Sequence, residues 1–100
     1  VKGLEVTVLK EDKNELKLEL KGEGHTLCIL LQRELLGDPN IEIAGYDVPH
    51  PLLDSAILYI RTRKGGNPRR ALIKALDKIR EKLVNFTTSF EEAWMKVEHS

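Results

Sequence analysis

The chain is poor in sulfur and aromatics and has no surplus charge. A single cysteine, Cys28, in 100 residues excludes an internal disulfide and suits a reducing compartment. No stretch of 18 apolar residues is present, so no transmembrane helix is expected. No basic segment followed by an apolar one opens the sequence, so no secretion signal is expected either. There is no CxxC, no HExxH and no histidine pair at helical spacing, the patterns that hold catalytic or structural metals. No cofactor is therefore expected. Sixteen Lys and Arg balance sixteen Asp and Glu, which disfavours strong non-specific binding to nucleic acid.

What is present is an ordinary apolar share, 41%, enough for one small core in one domain spanning residues 1–100. The charge balance hides an asymmetry. Residues 1–60 carry 6 cations and 11 anions, whereas residues 61–100 carry 10 and 5. A charged fraction of 32% hints at a hot-environment source.

The patterning gives the element order. Leu4, Val6 and Val8 alternate with polar residues, as do Leu16, Leu18 and Leu20, with a polar turn at residues 11–14 between them. That is the period of two half-buried strands joined as a hairpin. A helix is expected from about Thr26 to Leu36, stopped by Gly37 and the turn residues Asp38, Pro39 and Asn40. Ile41 to Ile43 alternates again, and Ser55 to Arg63 reads as a fourth strand. Asn67-Pro68 is a helix start, because Asn caps and Pro fits the first turn. The order β-β-α-β-β-α predicts an α+β fold, a four-stranded antiparallel sheet with two helices on one face.

Both helices carry more apolar surface than one sheet can cover. In the first, apolar residues point in all directions, and Gln32, Arg33 and Glu34 form no common solvent face. In the second, Leu72, Leu76, Ile79, Leu83, Phe86, Phe90, Ala93 and Val97 follow a heptad seam, with Trp94 beside it. Unbroken from Pro68 to Glu98, this helix is about 46 Å long, at about 1.5 Å per residue. It would overhang strands of about 20–27 Å and expose Phe90 and Trp94. A break at Thr87-Thr88-Ser89, with a capping box from Ser89 to Glu92, is the alternative. Either way, burial by a partner chain is favoured over self-burial.

Chemistry-bearing residues are scattered. His25, His50, Asp47, Asp54 and Cys28 have no catalytic or metal-binding spacing, so an enzyme, for example one of pterin-dehydratase type, has only a loose fold analogy behind it. Arg61 to Lys74 holds six cations and no acid beside Gly65-Gly66 and a helix start. Arg69 and Arg70 there are candidate anion contacts. A solvated loop, a carboxylate on a protein partner, and a small nucleic-acid-binding module using Arg61–Lys74 are the competing readings.

Two stretches are more specific: Gly22-Glu23-Gly24-His25-Thr26-Leu27 at the first helix, and Gly45-Tyr46-Asp47-Val48-Pro49-His50-Pro51-Leu52 after the third strand. Together they resemble the small alpha-like subunit family of archaeal and eukaryotic RNA polymerases, the subunit L family of archaea. That family usually places Gly-Asn after His-Thr-Leu, where this chain has Cys28 and Ile29, and an acid where it has Gly24. The resemblance implies an alpha-like dimerisation domain in a subunit that is not itself catalytic. It implies a heterodimer with the larger, D-type alpha-like subunit of RNA polymerase, paired through the first and last helices, as the platform for the large catalytic subunits. No membrane and no direct nucleic-acid contact are expected. Interface candidates on this basis are Leu27, Leu30, Leu31, Leu35, Leu76, Ile79, Leu83, Phe86, Phe90 and Trp94. The turn Tyr46, Pro49, His50 and Pro51 is a possible docking surface for another subunit, or simply a stiff crossover. Location in archaeal cytoplasm, or in the nucleus of a eukaryote, is the corresponding expectation.

Overall fold

The computed structural model describes residues 4–22, 24–49 and 54–99. Strands β1 (Glu5–Glu11) and β2 (Glu15–Lys21) precede helix α1 (Gly24–Leu36). Strands β3 (Ile41–Asp47) and β4 (Ser55–Thr62) follow, and helix α2 (Pro68–Glu98) ends the chain. All pairings are antiparallel and the strand order is β1-β2-β4-β3, so β1 and β3 are the sheet edges. The expected element order and four-stranded antiparallel architecture are what the chain forms.

The alternation in β2 and β4 explains the layering. Leu16, Leu18 and Leu20 pair with Ile60, Leu58 and Ala56, and all six are buried on one face. Both helices cover that face. Cys28, Leu31 and Leu35 of α1 and Ala71, Ala75 and Ile79 of α2 complete the same core. The other face carries Lys17, Glu19, Ile57, Tyr59 and Arg61 and is open.

Gly24 marks a close helix–sheet approach. A Cβ there would lie 2.8 Å from the Cβ of Leu20, so an acid at this position has no room. This accounts for one departure from the motif: α1 starts directly against β2.

The polar residues of α1 lack a solvent face because two of them bind neighbours. Gln32 donates through Nε2 to the Ala44 carbonyl of β3 at 3.0 Å. Glu34 accepts from the Lys82 ammonium of α2. The helix is apolar all round, yet its own sheet and α2 cover much of it. Leu27, Ile29 and Leu30 are half-buried, and only Leu36 is largely exposed.

α2 is one unbroken helix of 31 residues. Thr87 and Thr88 do not stop it, because their hydroxyls donate to the carbonyls of Leu83 and Val84 one turn back. At its start Asn67 accepts from the Arg70 amide at 3.1 Å, with Pro68 in the first turn. Asn67→Ala should therefore destabilise the chain by about 1 kcal/mol in urea unfolding, and Asn67→Asp by far less.

One expectation fails. The strand expected at Leu4 to Val8 forms as β1 but is not half-buried: Val6 and Val8 are 54% and 49% exposed. The register puts them opposite Leu20 and Leu18, on the helix-bearing face. They are bare because α1 lies over β3 and β4, and α2 over β2 and β4, leaving the edge strand uncovered.

Candidate subunit interface

The structure divides the expected interface residues into two groups. Leu31, Leu35 and Ile79 are buried at 9% exposure or less in the chain's own core. Their expected place at a partner surface is corrected: a hundred-residue sheet with two short helix contacts needs these side chains to close its own interior. Leu27 and Leu30 are half-buried against that core. Leu76, Leu83, Phe86, Phe90 and Trp94 are exposed.

Beyond Ile79, every residue of α2 described to His99 is exposed. The helix runs past its own sheet, giving the molecule a longest dimension of 55 Å. At about 100° per residue, Leu83, Phe86, Phe90 and Trp94 stay within one quadrant, so the overhang carries a continuous apolar stripe. Phe86, 69% exposed, is the barest of them. Trp94 satisfies its indole N–H within the helix, donating to Glu98 at 2.7 Å, which leaves its ring free to make apolar contacts. A stripe of this size on a lone chain has the character of an uncovered interface.

The two motif stretches come together in space. The rings of His25 and Tyr46 meet edge to face at 5.6 Å, joining the start of α1 to the end of β3. Pro49 is exposed. His50 and Pro51, the rest of the expected docking turn, lie outside the described residues.

The basic stretch is partly engaged within the chain. Arg69 makes a bidentate pair with Glu11 of β1, at 2.8 and 2.7 Å. Arg63 donates to the Pro39 carbonyl, and Arg61 lies within 4.0 Å of Glu15 and Glu42. Of the two candidate anion contacts, Arg69 is therefore already occupied by a carboxylate of this chain. Arg70 lines an open cavity of about 310 Å³ with Lys64 and Lys74, where Asp38 offsets part of the charge.

The Glu11–Arg69 pair fastens the start of α2 to the end of β1. Its hydrogen bond to Arg69 holds the Glu11 carboxyl below the ordinary carboxylate range. The pair is thus intact at neutral pH and is lost only as pH falls through that lowered value.

Among the described residues, no cluster of three His, Cys, Asp or Glu side chains is arranged to hold a metal ion. Asp47 and Asp54, raised as catalytic candidates by the sequence, are exposed at opposite ends of the β3–β4 connection and form no site with His25 or Cys28. Cys28 is fully buried, and burial pushes its thiol up to about 11. It should resist a thiol-specific reagent at pH 8 until the chain is unfolded in denaturant. Rapid labelling of the native chain would contradict the packing of α1.

Comparison with known proteins agrees with this picture. Residues 15–89 match the family described as RNA polymerase Rpb3/Rpb11 dimerisation domain. The chain is 39% identical over 98 residues to DNA-directed RNA polymerase subunit Rpo11 of Korarchaeum cryptofilum, covering 96% of this chain and all of that one. It is 42% identical over 74 residues to the Rpo11 subunit of Sulfurisphaera tokodaii, covering 74% of this chain and 80% of that one. Among solved structures, DNA-directed RNA polymerase subunit L of Thermoplasma acidophilum superimposes with a TM-score of 0.82 at 26% identity, over 99% of this chain and 97% of that one.

Proposed function

Since the chain belongs to the RNA polymerase Rpb3/Rpb11 dimerisation-domain family, we propose that it pairs with the larger, D-type alpha-like subunit, and that this pair is the platform on which the large catalytic subunits assemble. It is a non-catalytic subunit of a DNA-dependent RNA polymerase and contributes binding surface, not reacting groups.

The observation that carries the reading is the overhang of α2. Leu83, Phe86, Phe90 and Trp94 are all more than half exposed on a helix whose sheet-covering part ends at Ile79. A soluble chain that keeps four large apolar residues in one stripe is built to cover them with another chain. The nucleic-acid reading draws no comparable support, since Arg61, Arg63 and Arg69 are engaged within the chain.

The test is co-expression with the larger alpha-like subunit of the same organism, followed by a high-salt wash and size-exclusion chromatography. An equimolar complex that survives the wash is expected. A chain that elutes as a stable monomer beside the unbound larger subunit would overturn the proposal.

A further inference from the structure

The six cations between Arg61 and Lys74 fall into two sets. Arg61 lies beside Glu15 and Glu42, Arg63 donates to the Pro39 carbonyl, and Arg69 is held by Glu11. The charged ends of Lys64, Arg70 and Lys74 have no hydrogen-bond or ion-pair partner among the described residues. These same three cations line one cavity of about 310 Å³. The chain thus ties down every cation of the stretch except those that face this recess.

The turn between β4 and α2 builds it. The Arg63 carbonyl accepts from the Gly66 amide at 2.9 Å, and Gly65 takes φ +87°, a left-handed conformation. Lys64 is thereby carried to the recess that Arg70 and Lys74, one helical turn apart, line from α2. A Cβ on Gly66 would lie 2.8 Å from the Cβ and 3.0 Å from the Oγ1 of Thr62, so the glycine leaves that hydroxyl uncovered. Thr62 is 2% exposed and lines the same recess. Its hydroxyl accepts from Asn14 Nδ2 at 3.1 Å, which leaves the hydroxyl proton for a second partner. The opposing charge in the lining is Asp38, whose Oδ1 already accepts from the Asn40 amide at 2.9 Å. The start of α2 adds little by itself, because Asn67 takes the Arg70 amide.

Three cations against one carboxylate leave two positive charges uncompensated. A lone carboxylate brings one negative charge, whereas a phosphate group brings about 1.5–2 at neutral pH and three acceptor oxygens. The recess is at the small end of ligand sites, which run from about 300 to 1,000 Å³. A nucleic-acid strand is held by a row of free cations, and here the flanking Arg61, Arg63 and Arg69 are engaged. We infer that the recess between the Gly65-Gly66 turn and α2 binds a small phosphate-bearing anion, held by Lys64, Arg70, Lys74 and the Thr62 hydroxyl. The site is at the opposite end of α2 from the Leu83–Trp94 stripe and does not depend on the pairing proposed above.

The experiment uses the full chain, alone or in the complex with which it purifies. Inorganic phosphate and diphosphate are titrated at constant ionic strength, with acetate as the carboxylate probe, and amide NMR shifts are followed. Saturable shifts centred on the amides of Lys64, Gly65, Gly66 and Arg70 are expected with the phosphates. Arg70→Gln and Lys74→Gln should each weaken binding about 10-fold. Arg80→Gln removes the same charge from an exposed position of α2 outside the recess and should leave binding unchanged. All three positions are exposed, and the Arg70 amide stays capped, so helix content should be the same in each variant. Phosphate binding as tightly as diphosphate identifies a free ion as the ligand, and tighter diphosphate identifies the end of a longer phosphate chain. Both support the site. No saturable shift, acetate binding as tightly as phosphate, or equal losses in Arg70→Gln and Arg80→Gln would overturn it. So would a DNA oligonucleotide that shifts the same amides more strongly than either phosphate.

Discussion

Phe86→Asp is expected to abolish capture of the larger alpha-like subunit while leaving the fold of the chain intact. The side chain is 69% exposed and lies beyond Ile79, the last α2 residue in the core. Nothing inside the domain depends on it. In the proposed heterodimer the same ring would be buried, and covering a large apolar side chain is worth about 1.5–3 kcal/mol. A carboxylate in its place loses that gain and must also be desolvated. A loss of about 2–4 kcal/mol in pairing is expected, about 30- to 1000-fold in affinity. Circular dichroism should show unchanged helix content, since one exposed helix position alters propensity by less than about 0.7 kcal/mol. Glu81→Ala, on the opposite side of α2 and exposed, is the control and should pair normally. Equal pairing by both variants would show that the stripe is a solvated face.

Leu31→Asp should behave in the opposite way. Leu31 is 2% exposed in the core formed by α1, the sheet and α2. Removing a buried leucine costs about 2–5 kcal/mol in lost contacts and cavity. An unpaired carboxylate there adds several kcal/mol more. Against a total stability of about 5–15 kcal/mol, the chain should not fold. Loss of pairing would accompany loss of cooperative unfolding, whereas Phe86→Asp loses pairing alone. The two variants separate residues that make the domain from residues that join it to another. A soluble, cooperatively folding Leu31→Asp chain would contradict the core described for α1.

The limits of the sequence reading lie in particular residues. Periodicity places Leu31, Leu35, Leu76 and Ile79 on apolar faces, but it assigns no depth. Heptad spacing runs through Ile79 and Leu83 without a change, although one is buried and the other exposed. The boundary between core and overhang is the point at which α2 leaves the sheet, and that depends on how α1 and α2 cross. Likewise the alternation of Val6 and Val8 is the same as that of Leu18 and Leu20. Only strand order makes β1 an edge whose Val6 and Val8 no helix covers. The role of Arg69 was hidden because Glu11 is 58 residues away in the chain. The run of six cations therefore looked freer than it is.

The sequence by itself determined the element order, the antiparallel α+β class, the start of the second helix and the presence of more apolar helix surface than one small sheet covers. These follow from local rules: side-chain period, caps, glycine and proline. The two motif stretches further determined the family. The tertiary structure decided that α2 is continuous, that Leu31, Leu35 and Ile79 belong to the chain's own core, and that β1 is bare. Those depend on which surfaces meet across long chain separations, and hydrophobic burial is set by three-dimensional neighbours rather than by position along the chain.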